Sequence, residues 1–160
     1  MKYRWQRLTI FSIFFLIILV VFCFYFFSTN LHVSARNQSI QIAQSKWGIS
    51  KANYYSEYDR NQRYFAIGGY SKGNSSKYKY VVINGKNGKT TSLNGDPKAP
   101  YKSEQIVQSN QKPKKILHVS LGYYQKKPVW EVAYINKNGT LGYYLLNYKN
   151  TKIVQTIDNL

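Results

Sequence analysis

An internal repeat constrains the fold of this chain more than any other feature of its sequence. The pentapeptides QIAQS, residues 41–45, and QIVQS, residues 105–109, lie 64 positions apart in a chain of 160 residues. Residues 80–89 match residues 143–152 at an offset of 63, so the correspondences keep one order along both halves. Self-similarity of this kind indicates one structural unit that is used twice.

The first unit, residues 38–95, reads as a helix followed by strands. Apolar residues at helical spacing precede a glycine that can end the helix: Ile40, Ala43, Trp47 and Gly48. Runs rich in Tyr, Val and Ile then predict strands at residues 52–58, 63–70 and 77–83. This order predicts a helix packed on an antiparallel meander sheet.

The second unit, residues 101–160, repeats the order. Ser103 is placed to cap a helix that continues through residues 104–110. Alternation in the next run puts Leu117, Val119 and Leu121 on one face of a strand, with His118 on the other. The predicted strands are residues 116–123, 129–135, 141–148 and 153–157. The expected fold class is therefore α+β, with two tandem small domains.

A connector separates the units. Residues 94–102, NGDPKAPYK, hold two prolines and a glycine, which is typical of a linker. A domain of about 60 residues buries only about 60% of the surface that its unfolded chain exposes. We therefore expect the two units to pack on each other.

An apolar run near the N-terminus predicts a membrane anchor. Residues 8–27 carry no charge, and about 20 such residues are enough to cross a bilayer as a helix. Lys2, Arg4 and Arg7 precede the run, and basic flanks stay in the cytoplasm. The predicted segments are a cytoplasmic tail at residues 1–7, a transmembrane helix at 8–27, a tether at 28–37 and extracellular units beyond.

A cleaved signal peptide is the alternative interpretation of this run. Residues 33–35 are Val-Ser-Ala, and cleavage after Ala35 would fit their small side chains. A signal peptide has an apolar region of about 7 to 15 residues, and this run is longer. The sequence therefore favours a signal anchor and a single-pass protein of the cell membrane.

The net charge and the cysteine content of the chain limit the classes of partner that it is expected to bind. The chain has a net charge of +17, which in an extracellular protein favours anionic lipid headgroups or wall polymers over nucleic acid. The single cysteine, Cys23, lies in the apolar run, so we expect no disulfide in the units. Such a domain without disulfides is typical of a bacterial surface.

The pattern of titratable residues does not predict an enzyme. His118 has no cysteine or carboxylate pattern near it, and we expect no metal or cofactor. Glu57 and Asp59 are expected to form surface ion pairs with Arg60 and Arg63. Glu131 lies opposite its apolar neighbours and is expected to pair with a lysine on the solvent face.

Basic and aromatic residues of the second unit form the candidate interaction surface. Tyrosines come in adjacent pairs, and adjacent strand residues point to opposite faces, so one ring of each pair is expected outside. Outward tyrosines and nearby lysines suit protein contacts. The candidate residues are Lys112, Lys114, Lys115, Tyr123, Tyr124, Lys126, Lys127 and Tyr144.

The layout resembles a known family. A short basic tail, one apolar span and the segment KPVWEVAYINKNGTLGYYLLNYKNTKIVQTI, residues 127–157, are similar to the TseB-like (YpmB-type) proteins of Gram-positive bacteria. The resemblance implies halves of PepSY or cystatin-like fold. It also implies a non-enzymatic regulator of cell wall peptidoglycan elongation, whose partner is a penicillin-binding transpeptidase in the membrane.

Two other functions remain open at this point. The basic charge suits a surface protein that binds a polyanion such as teichoic acid. The PepSY resemblance also allows a peptidase inhibitor. Binding to purified walls that is lost as salt rises would favour the first, because salt screens exposed charges. Inhibition of surface peptidases would favour the second.

Overall fold

The chain divides into two compact units, Met1–Gln38 and Ser39–Leu160. The computed structural model describes the backbone of residues 2–160 and the side chains of residues 13–26 and 33–160. Residues 39–160 hold both halves of the repeat, which agrees with the expectation that the halves pack on each other.

Helix α1 spans Lys2–Trp47. The predicted tether, residues 28–37, is therefore helical rather than irregular. The reason is that no glycine or proline occurs before Gly48, so no helix-breaking residue interrupts the helix. The predicted span at residues 8–27 lies partly outside the residues whose side chains are described. Among the described residues, no helix has both the length and the apolar character needed to cross a membrane.

The last turns of α1 pack on the first sheet. Ala43 is fully buried there and joins a cluster with Ile49, Ile67 and Val81. Gly48 has a φ of +63° and its N–H donates to the Gln44 carbonyl, at 3.2 Å. A left-handed glycine is a common helix stop, so the predicted end of this helix is confirmed.

Two four-stranded antiparallel sheets follow, each a simple meander. In sheet 1 the order is β1-β2-β3-β4, and in sheet 2 it is β5-β6-β7-β8. Helix α2, Ala99–Gln111, lies between them in sequence. The strands are β1 Ile49–Asp59, β2 Arg63–Ser71, β3 Asn74–Asn84, β4 Thr90–Asn94, β5 Lys115–Tyr124, β6 Lys127–Ile135, β7 Leu141–Asn147 and β8 Ile153–Ile157.

The repeat is confirmed at the level of single hydrogen bonds. After β3, the Asn84 side-chain oxygen accepts the backbone N–H groups of the residues two and three positions later, at 2.9 and 3.3 Å. After β7, the Asn147 oxygen does the same at 2.9 and 3.4 Å. Each turn then has a left-handed residue, Gly88 with φ +67° and Thr151 with φ +55°. These positions are related by the offset of 63 residues.

Helix α2 begins earlier than the sequence suggested. Ser103 is not its cap but a buried residue of its second turn, and its hydroxyl donates to the Ala99 carbonyl at 3.0 Å. Pro100 fits the first turn, where its missing N–H is not needed. Asp96 precedes the helix and accepts the Lys98 and Ala99 N–H groups. The linker is consequently only residues 95–98.

A bulge changes the faces of β5. Ile116 pairs with Tyr134 and His118 pairs with Ala133, so Leu117 is the extra residue. Its side chain is 43% exposed, and the expectation that it shares the core face was wrong. A bulge adds one residue to one strand, so the residues before it point to the opposite faces from those that simple alternation predicts. No local sequence pattern predicts the bulge here.

The halves share one core. Trp130 of β6 is fully buried against the rings of Tyr54, Tyr80 and Tyr148, at centroid distances of 5.9, 5.1 and 5.8 Å. Side chains also bridge the sheets, since Tyr54 donates to the Val119 carbonyl at 3.0 Å. The predicted packing of the two halves on each other is therefore confirmed.

Candidate functional site

A buried ion pair joins the halves. Arg60 Nε in the β1–β2 turn lies 2.6 Å from Glu131 Oε2 on β6, and the two side chains are 20% and 6% exposed. The Arg60 guanidinium also lies 5.5 Å from the Tyr143 ring centre. The expected lysine partner on the solvent face was therefore wrong. Arg63 pairs locally with Asp59, as predicted.

Burial of Glu131 follows from the fold. Alternation along β6 puts it on the face opposite Trp130, as the sequence indicated. That second face is covered by the end of the first hairpin, where Tyr58 packs with Val129 and Leu145. A face that looks solvent-exposed in one half is thus closed by the other half.

The predicted interaction surface separates into two places. Lys112, Lys114 and Lys115 are exposed at the start of β5, and Lys126 and Lys127 are exposed beyond its end. A strand advances about 3.4 Å per residue, so the ten residues of β5 hold the two lysine groups about 30 Å apart. The two groups do not form one patch.

The three candidate tyrosines differ in burial. Tyr123 and Tyr124 are half-buried beside the second lysine group. Tyr144 is buried, its ring lies 5.7 Å from that of Tyr134, and its hydroxyl donates to Gln111. The assignment of Tyr144 to an outer surface is therefore corrected, because α2 covers that face of sheet 2.

A polar cleft of about 400 Å³ opens beside Tyr123 and Lys126. It lies between the tips of two hairpins that are equivalent in the repeat, the β1–β2 turn and the β5–β6 turn. The residues that line it are Asn61, Gln62, Tyr64, Val82, Asn84, Lys89, Thr91, Tyr123, Gln125 and Lys126. They include two lysines, four amides and no carboxylate.

Hydrogen bonds fix the amides of this cleft. The Asn84 oxygen accepts two backbone N–H groups, which can only donate, so the Asn84 nitrogen must point the other way. That nitrogen donates to Gln62 Oε1 at 2.9 Å, and the Tyr64 hydroxyl donates to the same oxygen at 3.1 Å. Gln62 therefore turns its own N–H₂ group away from these partners.

The turn that carries Lys126 has an uncommon backbone. Gln125 and Lys126 form the two-residue loop between β5 and β6, with φ of +48° and +62°. Such loops prefer Asn and Gly, because a side chain in the left-handed region costs about 1–2 kcal/mol. Strained residues of this kind concentrate at functional sites.

Tyrosines with raised pKa values belong to the core rather than to this cleft. Burial raises the pKa of Tyr58 and of Tyr78 to about 12. Burial also raises the pKa of Tyr54, Tyr80 and Tyr148 above the usual range. These phenols stay neutral at physiological pH, so none of them is poised to act as a base.

The carboxylates are mostly engaged in structural contacts. Asp96 has a lowered pKa because it accepts hydrogen bonds from Lys102 and from the Lys98 N–H. Asp158 has a lowered pKa because of its hydrogen bond from Asn136 and further contacts that include Gln111. Within the described part of the chain, no three potential ligands lie close enough to hold a metal ion.

Strand β8 leaves a second open surface. It pairs only with β7, so its outer backbone groups have no strand partner among the described residues. Ile153 and Val154 on this edge are 51% and 45% exposed. Sequence reasoning identified β8 as a strand but could not tell that it ends the sheet.

The fold of the chain is similar to that of a solved protein. No family model matches it, and no curated protein matches it. The structure is similar to the YpmB protein from Bacillus subtilis, with a TM-score of 0.61 and 18% identity over 76% of this chain and 95% of that chain. The shared fold agrees with the fold that the YpmB-type resemblance implies, and two helix-on-antiparallel-sheet halves fit a cystatin-like description.

Proposed function

We propose, from the fold shared with YpmB, that this chain is a membrane-anchored extracellular regulator without enzymatic activity. It acts on cell wall elongation by binding a penicillin-binding transpeptidase in the same membrane. The observation that carries the proposal is the structural match over 95% of the YpmB chain, together with the sequence resemblance of residues 127–157. PepSY-like ancestry of the two halves is part of the proposal.

The apolar part of α1 supports anchoring. Large apolar side chains from Ile13 to Phe26 are 43–75% exposed on all sides of the helix. A helix that is apolar all round is stable only when another apolar medium covers it. The basic residues before it favour an N-terminus in the cytoplasm, and on this proposal residues 39–160 are extracellular.

The carboxylates support a role in binding rather than catalysis. Of the six Asp and Glu residues, five have hydrogen-bonding or ion-pair partners in the fold. A general acid or base must lie within hydrogen-bond reach of a substrate proton, whereas these five carboxylates bond to groups of the fold itself. His118 is exposed on β5.

The open edge of β8 supports a protein partner. Unpaired N–H and C=O groups on an edge strand can accept an added strand, and exposed aliphatic side chains add apolar contact. Ile153 and Val154 supply such contact here. If both proteins are anchored in one membrane, their effective concentration is high, so a modest contact is sufficient.

Site-specific photo-cross-linking in cells tests the proposal. A photoreactive residue at Val154 should capture a transpeptidase, identified by mass spectrometry, while the same residue at exposed Ser75 should not. Substitutions at Lys115 and Tyr124 probe the two ends of the predicted surface. Deletion of the protein should change cell shape. Failure to capture a wall synthase at any position, with unchanged cell shape, would remove the proposal.

A further inference from the structure

We propose that the polar cleft between the two hairpin tips binds the phosphate group of a phosphorylated polyol or sugar. This inference goes beyond the transpeptidase partner and rests on the cleft alone. The cleft has a volume of about 400 Å³, which suits one sugar or polyol phosphate unit rather than a folded protein.

The free groups of the cleft are mostly donors. Gln62 Oε1 already accepts two hydrogen bonds, from Tyr64 and Asn84, and so both of its lone pairs are used. The Asn84 oxygen is likewise used by two backbone N–H groups. What these two side chains still offer to a ligand is N–H, which requires an acceptor.

The charge of the cleft has one sign. Lys89 and Lys126 line it from opposite hairpins, and neither has a carboxylate partner among the described residues. No carboxylate lines the cleft. Charge-assisted hydrogen bonds to an anion are about twice as strong as neutral ones, so two ammonium groups favour an anionic acceptor.

The remaining lining groups indicate what carries the anion. Tyr64 and Tyr123 form an aromatic wall with ring centres 5.4 Å apart, which suits the C–H face of a sugar or polyol. Thr91, Asn61 and Gln125 can exchange hydrogen bonds with hydroxyl groups. A ligand that has both an anionic phosphate and hydroxyls uses all of these groups, whereas a peptide carboxylate does not.

The strained β5–β6 turn supports the same assignment. Gln125 and Lys126 both lie in the left-handed region, where neither side chain is favoured. An Asn-Gly loop would close the same hairpin at lower cost. The present residues instead place an amide and an ammonium group at the cleft.

Binding of a defined anion tests the inference. The full chain in neutral detergent is titrated with a glycerol phosphate hexamer, with an uncharged glycerol oligomer and with the deacylated headgroup of phosphatidylglycerol. We expect the hexamer to bind and the uncharged oligomer to bind at least tenfold more weakly. If the headgroup binds as tightly as the hexamer, the natural ligand is assigned to the lipid. If the headgroup binds more weakly than the hexamer, the natural ligand is assigned to a wall polymer.

Charge-matched variants locate the site. Gln62→Glu keeps the acceptor for Tyr64 and Asn84 but replaces the free N–H₂ with negative charge, so binding should fall at least tenfold. Lys89→Gln with Lys126→Gln should weaken it similarly. Lys112→Gln with Lys115→Gln removes equal charge about 30 Å away and should change affinity less than twofold. Circular dichroism checks the fold of each variant.

Two results would overturn the inference. One is equal weakening by both lysine pairs, which would mean diffuse attraction to a basic surface. The other is equal affinity for the charged and the uncharged oligomer. Loss of transpeptidase capture with anion binding intact would count against the proposed function and leave the cleft assignment standing.

Discussion

Removal of the Arg60 side chain should destabilise the fold far more than removal of a neighbouring arginine. Glu131 is 6% exposed and Arg60 is 20% exposed, so Arg60→Ala leaves a buried carboxylate without its partner. Breaking a buried pair in this way costs about 3–5 kcal/mol. The contact of Arg60 with the Tyr143 ring adds about 0.5–1 kcal/mol. Because a fifth of Arg60 is solvated, we expect a total near the lower end of the summed range, about 3.5 kcal/mol.

Arg63→Ala is the matched control. Its ion pair with Asp59 has side chains that are 54% and 53% exposed, and exposed pairs contribute about 0–1 kcal/mol. Both arginines lie in or beside the same turn, so differences in local backbone effects are small. The assay is urea unfolding of the full chain in neutral detergent, followed by circular dichroism.

A double variant separates the charge from the packing. Arg60→Met with Glu131→Leu removes both charges and keeps similar volume, and replacing a buried pair in this way is often neutral or stabilising. We expect it to be more stable than Arg60→Ala by at least 2 kcal/mol, an order-of-magnitude figure from the cost of one orphaned charge. If Arg60→Ala and Arg63→Ala have equal unfolding free energies, the account of a buried bridge between the halves is wrong.

Three further predictions concern stability. Thr151 takes the left-handed position that Gly88 holds in the other repeat. In urea unfolding, Thr151→Gly should therefore stabilise the fold by about 0.5–1 kcal/mol, and Gly88→Thr should destabilise it by about 1–2 kcal/mol. If both variants changed the unfolding free energy in the same direction, this reasoning would be refuted. A Cβ at Gly122 would lie 2.3 Å from the Tyr58 ring, so Gly122→Ala should cost about 1–3 kcal/mol, and a wild-type melting temperature would contradict it. The folded pKa of Tyr58 and Tyr78 is raised to about 12 from about 10 when unfolded, so their contribution is complete below pH 10 and is lost as pH rises towards 12. Alkaline titration of the wild type and of Tyr58→Phe with Tyr78→Phe gives, by difference, the tyrosinate absorbance of these two residues. That absorbance should rise together with loss of near-ultraviolet circular dichroism, and its rise in the folded protein would refute the burial.

Much of the fold follows from local patterns. The strands near Phe65, Tyr80 and Trp130 are runs rich in aromatic and aliphatic residues, and Gly48 marks the end of a helix, so these elements can be predicted from the sequence. Strand β4 is not, because Thr90–Asn94 holds one aliphatic residue and is a strand only by pairing with β3. Ser103 looks like a cap, yet the helix starts before it because Pro100 fits the first turn.

The candidate site was less predictable than the fold. Tyr123 and Lys126 were predicted surface residues and do line the cleft, but Gln62, Asn84 and Lys89 come from the other half. These residues come together with Tyr123 and Lys126 only because of the way the two sheets pack. The spacing of residues along the sequence does not predict that packing. The offset of 64 that relates Asn61 and Gln62 to Gln125 and Lys126 was the one available signal, since it makes the two turns equivalent.

The shared aromatic core gives a physical reason for the two units to lie in one chain. A single copy of the unit would leave the neighbours of Trp130 facing water, and an apolar patch of that kind promotes self-association. Two separate copies could hide it only as a dimer, whose stability depends on protein concentration. Joining the copies through the short linker at residues 95–98 removes that dependence. The covalent link therefore keeps the two halves of the aromatic core together at any protein concentration.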